Sequence, residues 1–135
     1  WEQAKAKLVG VDPAVIEKYN VVSAPVAAQM ALGAAAAAGA DIAVSVTGVA
    51  GPTGGDEIRP VGTVYLGAAR DGVAYVKKIF VSRPDRALVR ARAAQMALAM
   101  ALRLAQGKVP GGTQTFTAAE QADDAALAAL DKAFV

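Results

Sequence analysis

The sequence predicts an α/β layered domain in which helices flank a largely antiparallel set of strands. Three apolar segments with strand character, residues 42–47, 61–69 and 73–81, lie between helical segments rich in alanine. Arg70-Asp71-Gly72 separates the second and third strands and is typical of a tight hairpin turn. In the first strand apolar residues alternate with small ones, which predicts that both of its faces are covered.

Capping signals predict the two helices that precede the first strand. Asp12-Pro13 is typical of an N-cap followed by proline at the first helical position, and this helix runs to Tyr19. Ser23 is a cap for a second helix, with Pro25 in its first turn. Gly39 is placed to end that helix in a left-handed conformation.

A long helix is predicted from Pro84 to about Gln106, with Gly107 as its stop. Apolar residues recur along it at helical spacing. They predict a packing face made of Leu88, Ala91, Leu98 and Leu102.

The composition changes after this helix, so residues 107–135 are interpreted as an extension. Val109-Pro110-Gly111-Gly112-Thr113 is typical of a linker, and Thr117 with Glu120 matches a capping box. Leu127, Leu130 and Phe134 follow at helical spacing, which predicts a short amphipathic helix. It can pack on its own domain or on a partner, and we favour its own domain.

The composition excludes several classes of chemistry. The 135 residues contain no cysteine and no histidine, which removes thiol nucleophiles, disulfides, histidine-based triads and the usual zinc sites. We expect no metal and no cofactor. A net charge of +2 is too small to indicate a nucleic-acid partner. Hydrophobic residues reach 55%, but only 5% are aromatic, so we expect a shallow, close-packed core.

Residues 20–40 carry no charge and could be mistaken for a membrane helix. Asn20, Pro25, Gln29 and the weakly hydrophobic alanines argue against that interpretation, so we expect no membrane insertion. The alanine-rich faces suit close packing against a neighbour. We expect a homo-oligomer or a subunit of a larger assembly.

The most informative segment is the glycine-rich loop after the first strand. Residues 48–55 contain four glycines, whose lack of a Cβ lets backbone amides approach a ligand closely. Successive free N–H groups in such a bend form an anion site. The residues alone leave two interpretations open, a nucleotide-binding loop and an ordinary turn between two strands.

Three arginines near the start of the last helix, Arg83, Arg86 and Arg90, are spaced to lie on one helical face. Guanidinium groups are well suited to bind a phosphate, because they can donate two parallel hydrogen bonds to it. The alternative is a solvated arginine face. Arg59, at the end of the loop, adds a further positive charge.

The ordered set of motifs resembles the C-terminal domain of the competence/damage-inducible CinA family, the nicotinamide-nucleotide amidases. The resemblance covers residues 1 to about 106 and leaves out residues 107–135. It rests on Ala4-Lys5-Ala6, Val9-Gly10-Val11, Val22-Ser23, Ala40–Pro52, Gly54-Gly55, Pro60–Tyr65, Asp85-Arg86 and Arg90.

The resemblance implies a three-layer α/β/α sandwich with a C-terminal helical extension. It also implies hydrolysis of the carboxamide of nicotinamide mononucleotide to nicotinate mononucleotide and ammonia, without a metal. By resemblance the substrate-binding residues are Arg86 and the loop residues Thr47, Gly48, Ala50, Gly51, Gly54 and Gly55. A bacterial member is expected in the cytoplasm, and an organellar one would need a targeting segment that has been removed.

The chain departs from the family at the catalytic residues. The family nucleophile is a serine in a Thr-Ala-Glu-Ser-Cys-Thr-Gly-Gly segment, for which these 135 residues contain no counterpart. Lys5 matches the family's catalytic lysine, but Trp1-Glu2 replaces the Ser-Asn that precedes it. We therefore expect a domain that is incomplete at its N-terminus. The alternatives are an amidase domain that is inactive as this chain alone, a non-catalytic, structural subunit, and a domain that binds a nucleotide without turnover.

Overall fold

The computed structural model describes residues 10–51, 53–83 and 85–135. The alternation of helices and strands follows the order that the sequence predicts. The elements are α1 (Pro13–Tyr19), α2 (Ala24–Ala38), β1 (Ile42–Gly48), β2 (Thr63–Arg70), β3 (Val73–Phe80), α3 (Arg86–Ala105), β4 (Gln114–Thr117), a 3₁₀ helix (Ala118–Ala122) and α4 (Asp124–Lys132).

The predicted caps of the first two helices are confirmed. The Asp12 side chain accepts a hydrogen bond from the Ala14 amide at the start of α1. The Ser23 hydroxyl accepts one from the Val26 amide at the start of α2, and Gly39 ends α2 with a φ of 61°. Within the described ranges, no helix combines the length and the apolar character needed to span a bilayer.

The described strands form one sheet in the order β1-β2-β3-β4, with each neighbouring pair antiparallel. The predicted hairpin between β2 and β3 is present. Its two turn residues, Asp71 and Gly72, have φ values of 53° and 75°, so both lie in the left-handed region that such turns require. The sheet is therefore built from one tight hairpin, a long loop between β1 and β2, and a connection through α3 between β3 and β4.

One face of the sheet is covered by α2, and the contact is unusually close. A Cβ added at Gly67 in β2 would lie 2.5 Å from the carbonyl oxygen of Ala27 and 2.7 Å from the hydroxyl of Ser45. The Ser45 hydroxyl donates a hydrogen bond of 2.7 Å to the same carbonyl. Small residues at these positions let the helix backbone lie directly on the strands, as the shallow, alanine-rich core predicts.

The opposite face is covered by α3, so the layers form the α/β/α arrangement that the resemblance implies. The helix begins at Arg86 with Asp85 as its N-cap, two residues later than predicted. The predicted packing face is wrong at Ala91, which is exposed, and at Leu98 and Leu102, which are 61% and 53% exposed. The buried residues of α3 are Val89, Ala93, Ala97, Met100 and Leu104.

The prediction that both faces of β1 are covered is also wrong. Ser45 and Thr47 are buried under α2, but Val44 and Val46 on the other face are each 41% exposed. The helix α3 packs on both β1 and β2 and leaves these two valines partly open. A sequence pattern of apolar and small residues cannot distinguish a covered face from one that is only partly covered.

The C-terminal extension packs on its own domain, in agreement with the prediction. Its strand β4, which the sequence did not predict, pairs with β3 and buries Phe116. The helix α4 buries Leu127 and Leu130 in the cluster that also contains the core residues of α2. The capping box of Thr117 and Glu120 is present, and it begins the 3₁₀ helix.

Asp131 of α4 lies in a polar site beneath this extension. Its Oδ1 atom is buried without a hydrogen-bond partner among the described residues, as is the hydroxyl of Tyr65. Burial raises the pKa of the Asp131 carboxyl, and the Arg59 guanidinium partly offsets that shift. Phe134 packs edge-on against the Tyr65 ring, with 5.8 Å between the ring centroids.

Substitution of Gly67 by alanine tests the close contact between α2 and the sheet. We expect Gly67→Ala to lower the free energy of unfolding by about 1–3 kcal/mol, because the new methyl group overlaps the Ala27 carbonyl. Urea denaturation measures the effect. Gly111→Ala is the matched control, since a Cβ at residue 111 meets nothing within 4 Å. Equal stability of the two variants would contradict the packing described here.

Substitution of Asp131 by asparagine tests the burial of its carboxyl. The folded-state pKa is raised above the unfolded value, so this group's stabilising contribution is complete below the ordinary pKa of aspartate. That contribution is lost as the pH rises through the folded-state pKa. We therefore expect Asp131→Asn to raise Tm at pH 7 and to remove the loss of stability that this carboxyl causes as the pH rises through its folded-state pKa.

Thermal denaturation between pH 3 and pH 8 would measure this effect, with the exposed Glu57→Gln as the control. A lower Tm for Asp131→Asn at pH 7 would show that the charged carboxylate stabilises the extension.

Candidate functional site

The loop between β1 and β2, residues 49–62, is closed at its base by backbone hydrogen bonds. The Val49 amide donates to the Thr63 carbonyl oxygen at 2.9 Å, and the Gly62 amide donates to the Val49 carbonyl oxygen at 2.8 Å. These bonds continue the β1–β2 ladder by one step. The loop therefore projects from a rigid base at the end of the sheet.

Glycines let the loop fold back on itself. Gly51 has a φ of 82°, and a Cβ added there would lie 2.5 Å from a methyl carbon of Val61. A Cβ at Gly55 would lie 2.5 Å from the Val61 amide nitrogen. Both positions thus need glycine because Val61 occupies the space of a side chain, which is a packing requirement in addition to any binding role.

Asp56 organises the far side of the loop. Its Oδ1 atom accepts hydrogen bonds from the amides of Ile58 at 3.0 Å and Arg59 at 2.6 Å. The Asp56 amide in turn donates to the Arg59 carbonyl oxygen at 3.0 Å. This turn directs the Arg59 side chain back towards the body of the domain.

Arg59 ties the loop to the connection between α1 and α2. Its Nε donates to the carbonyl oxygen of Val22, and one Nη donates to that of Tyr19 at 2.6 Å. The connection is itself ordered by Asn20, whose side chain accepts from the Val22 amide at 3.0 Å. The guanidinium therefore joins two separate backbone segments on one side of a cavity.

This cavity has a volume of about 410 Å³ and lies between the loop, the α1–α2 connection and the start of α3. Among the described residues, none accepts a hydrogen bond from the backbone amides of Ala50, Gly51, Thr53 or Gly54. The cavity thus combines uncommitted amide donors with guanidinium groups. Its lining residues are Asn20, Val21, Val22, Gly48, Val49, Ala50, Gly51, Thr53, Gly54, Asp56, Arg59 and Arg86.

The structure brings together most of the residues that the resemblance assigned to substrate binding. Gly48, Ala50, Gly51, Gly54 and Arg86 all line the cavity. Arg86 is the first residue of α3 and is exposed, so its side chain is accessible to a ligand. The positive end of the helix dipole lies at the same place, which favours an anion there.

Two of the assigned substrate-binding residues, Thr47 and Gly55, lie outside the cavity lining. Lys5, the candidate catalytic residue, lies outside the described residues. Thr47 is 4% exposed, and its hydroxyl donates to the Val21 carbonyl oxygen at 2.8 Å. The hydroxyl of Thr47 therefore fixes the position of Val21, which lines the cavity.

The three predicted arginines do not form a single helical stripe. Arg83 precedes α3, Arg86 lines the cavity, and Arg90 lines a separate apolar groove of about 340 Å³ between α3 and β1. This groove shares Gly48 and Ala50 with the cavity. Its other lining residues are Val46, Val64, Val89, Ala93 and Ala94.

Sequence reasoning missed the residues that shape the cavity from the side of the α1–α2 connection, above all Asn20. It also noted Arg59 without its structural role. The sequence held part of the information about Arg59, because an aspartate three residues before it, Asp56, is typical of a residue that caps a tight turn. Among the described residues, no group of three or more acidic side chains is arranged to hold a metal ion.

Comparison with known proteins gives the family. The profile of the CinA C-terminal domain matches residues 1–105. The nicotinamide-nucleotide amidohydrolase PncC of Enterobacter agglomerans is 50% identical over 101 residues, which cover 74% of this chain and 61% of that protein. A CinA-like protein of Chlorobaculum tepidum is 49% identical over 100 residues, 71% of this chain and 24% of the relative.

Solved structures agree with these matches. The competence/damage-inducible protein CihA of Agrobacterium tumefaciens superposes with a TM-score of 0.76 at 34% identity, covering 78% of this chain and 65% of that one. A CinA superfamily protein of Escherichia coli gives a TM-score of 0.71 at 38% identity, covering 77% and 60%. The chain spans less than two thirds of the length of each of these relatives. It belongs to the family of the CinA C-terminal domain.

Proposed function

We propose that the loop cavity binds the phosphate of a nicotinamide nucleotide. The observation that carries the proposal concerns loop residues 50, 51, 53 and 54, which line one cavity with Arg59 and Arg86 and whose amides donate to no described residue. Backbone N–H groups in a glycine-rich bend and a guanidinium fork are both suited to phosphate oxygens. The name of the Enterobacter relative, a nicotinamide-nucleotide amidohydrolase, supports the choice of nucleotide.

The remaining lining suits the less polar parts of such a ligand. Val21, Val22 and Val49 contribute apolar surface next to the amide donors. A volume of about 410 Å³ falls within the range of ordinary small-molecule sites. We therefore assign the amide-rich side of the cavity to the phosphate and the valine side to the carbon framework of the nucleotide.

The amidase reaction needs groups beyond this cavity. A serine hydroxyl attacks the carboxamide carbon, a base accepts the hydroxyl proton, ammonia leaves, and water then hydrolyses the ester to the carboxylate. Lys5 is the matched candidate for the base. In the described part of the chain, Ser23 and Ser45 are buried and their hydroxyls donate to the carbonyls of Asn20 and Ala27. We propose that the 135-residue chain alone binds the nucleotide without hydrolysing it.

A structural role is the second candidate function. It is favoured by the extension beyond residue 105, which adds a strand to the sheet and buries two leucines against the core. Such an addition stabilises the fold and contributes no residue to the cavity lining. A non-catalytic subunit of an assembly would need this stability and would have no need for the uncommitted loop amides.

Nucleotide affinity tests the binding proposal. We expect Arg86→Gln to weaken the binding of nicotinamide mononucleotide by about tenfold or more, because one charge-assisted hydrogen bond contributes about 1.5–3 kcal/mol. Isothermal titration calorimetry of the full chain measures the affinity, and inorganic phosphate should compete. The control is Arg92→Gln, an exposed arginine of α3 that does not line the cavity. Equal affinities for the two variants would refute the proposed phosphate site.

Ammonia release tests the catalytic part separately. We expect the 135-residue chain, incubated with nicotinamide mononucleotide, to release no ammonia above the uncatalysed rate. A coupled glutamate dehydrogenase assay measures this release. Measurable turnover that is lost in Ser82→Ala would place a nucleophile within this chain and would leave the binding proposal intact.

A further inference from the structure

The C-terminal extension and the wall of the cavity meet the sheet along one row of residues. Thr47 of β1, Tyr65 of β2 and Lys78 of β3 are successive partners across the strands, so their side chains share one face of the sheet. At one end of the row, the Thr47 hydroxyl donates to the carbonyl oxygen of Val21, which lines the cavity. The extension contacts the other two members of the row.

Phe134 fixes the end of the extension on this row. Its ring packs edge-on against the fully buried ring of Tyr65, with 5.8 Å between the centroids. Its carbonyl oxygen accepts a hydrogen bond of 3.2 Å from the Lys78 ammonium group. The Phe134 amide donates to the Asp131 carbonyl oxygen at 3.1 Å, which closes the turn between these two residues. These contacts together fix the position of Asp131 relative to Tyr65.

Arg59 belongs both to the cavity and to the buried site beneath the extension. It lines the cavity, and its guanidinium donates to the backbone carbonyls of Val22 and Tyr19. Burial raises the pKa of the Asp131 carboxyl and of the Tyr65 hydroxyl, and the positive charge of Arg59 offsets part of both shifts. The Oδ1 atom of Asp131 is buried, so solvent screens its interaction with Arg59 only weakly.

The elements packed against α4 bring few other charges to Asp131. The helix α2 has no charged residue, and Glu120 of the 3₁₀ helix is engaged in the capping box. Lys78 of β3 donates to the backbone of the extension, and Lys132 of α4 itself is exposed. Among the described residues, Arg59 is therefore the positive charge that acts on the Asp131 carboxyl.

We propose that Asp131 is a positioning residue of the anion site, an inference that rests on the function proposed above. When it is ionised, its carboxylate attracts the Arg59 guanidinium and competes with a bound anion for the positive charge. When it is protonated, it leaves that charge to the ligand. The extension, which lies beyond the matched family profile, thus lowers the affinity of the cavity for anions through a residue that does not line it.

Sulfate binding at several pH values tests the proposal, because sulfate keeps its double charge between about pH 4 and pH 8. At about pH 8 we expect Asp131→Asn to bind sulfate at least about threefold more tightly than the wild-type chain, since an opposing charge near Arg59 is removed. At about pH 4 the two affinities should converge, because the raised pKa leaves the wild-type carboxyl largely protonated. Isothermal titration calorimetry of the full 135-residue chain measures both affinities. The ratio between the two chains cancels the titration of Asp56, which also lines the cavity.

Asp124→Asn is the matched control, because it removes the same charge from an exposed position of α4. Its affinity for sulfate should equal that of the wild-type chain at every pH. If the ratio of Asp131→Asn to wild type does not change with pH, or if the variant binds more weakly at high pH, the role of Asp131 is refuted and the anion site stands. Sulfate that binds neither chain would instead refute the anion site and, with it, this inference.

Discussion

The close contact between α2 and the sheet at Gly67 is the constraint on which the site depends. The Ala27 carbonyl lies where a side chain of residue 67 would be and accepts the Ser45 hydroxyl. This contact sets the depth of α2 on the strands and, through α2, the position of the α1–α2 connection just before it. The Tyr19 and Val22 carbonyls of that connection then receive Arg59, and Arg59 positions the loop. The contact at Gly67 in the core thus determines the position of the residues that line the cavity.

The same chain of contacts explains why Arg59 and Arg86 have different roles although both line the cavity. Two of the guanidinium nitrogens of Arg59 donate to backbone carbonyls, so its charge is fixed and partly screened. Arg86 is exposed at the first turn of α3 and keeps its donors accessible. A guanidinium whose donors are already used supplies a positive potential, and one whose donors are accessible can bind a ligand directly. The anion affinity that we propose should therefore depend more directly on Arg86 than on Arg59.

Short sequence motifs correctly predicted the turns and helix ends, which depend on interactions between residues close together in the chain. The Asp71-Gly72 hairpin, the Ser23 cap and the Gly39 stop each depend on backbone geometry within a few residues. The packing face of α3 could not be predicted in the same way, because alanine and leucine are both apolar, and the sheet contacts the smaller residues. The short strand β4 follows a glycine-rich turn and has little apolar character of its own, since only Phe116 is buried. Likewise, the tie between Arg59 and Val22 joins residues 37 positions apart, and no local pattern indicates it.

The cavity and the apolar groove are physically connected through Gly48 and Ala50, which line both. Gly48 is the last residue of β1, and the hydrogen bonds of Val49 and Gly62 continue the pairing of β1 with β2 into the loop. This rigid base reduces the conformational entropy that the loop loses when a ligand binds. Binding by the loop amides, as we propose it, should therefore depend on the β1–β2 ladder even though no side chain of β1 needs to enter the cavity.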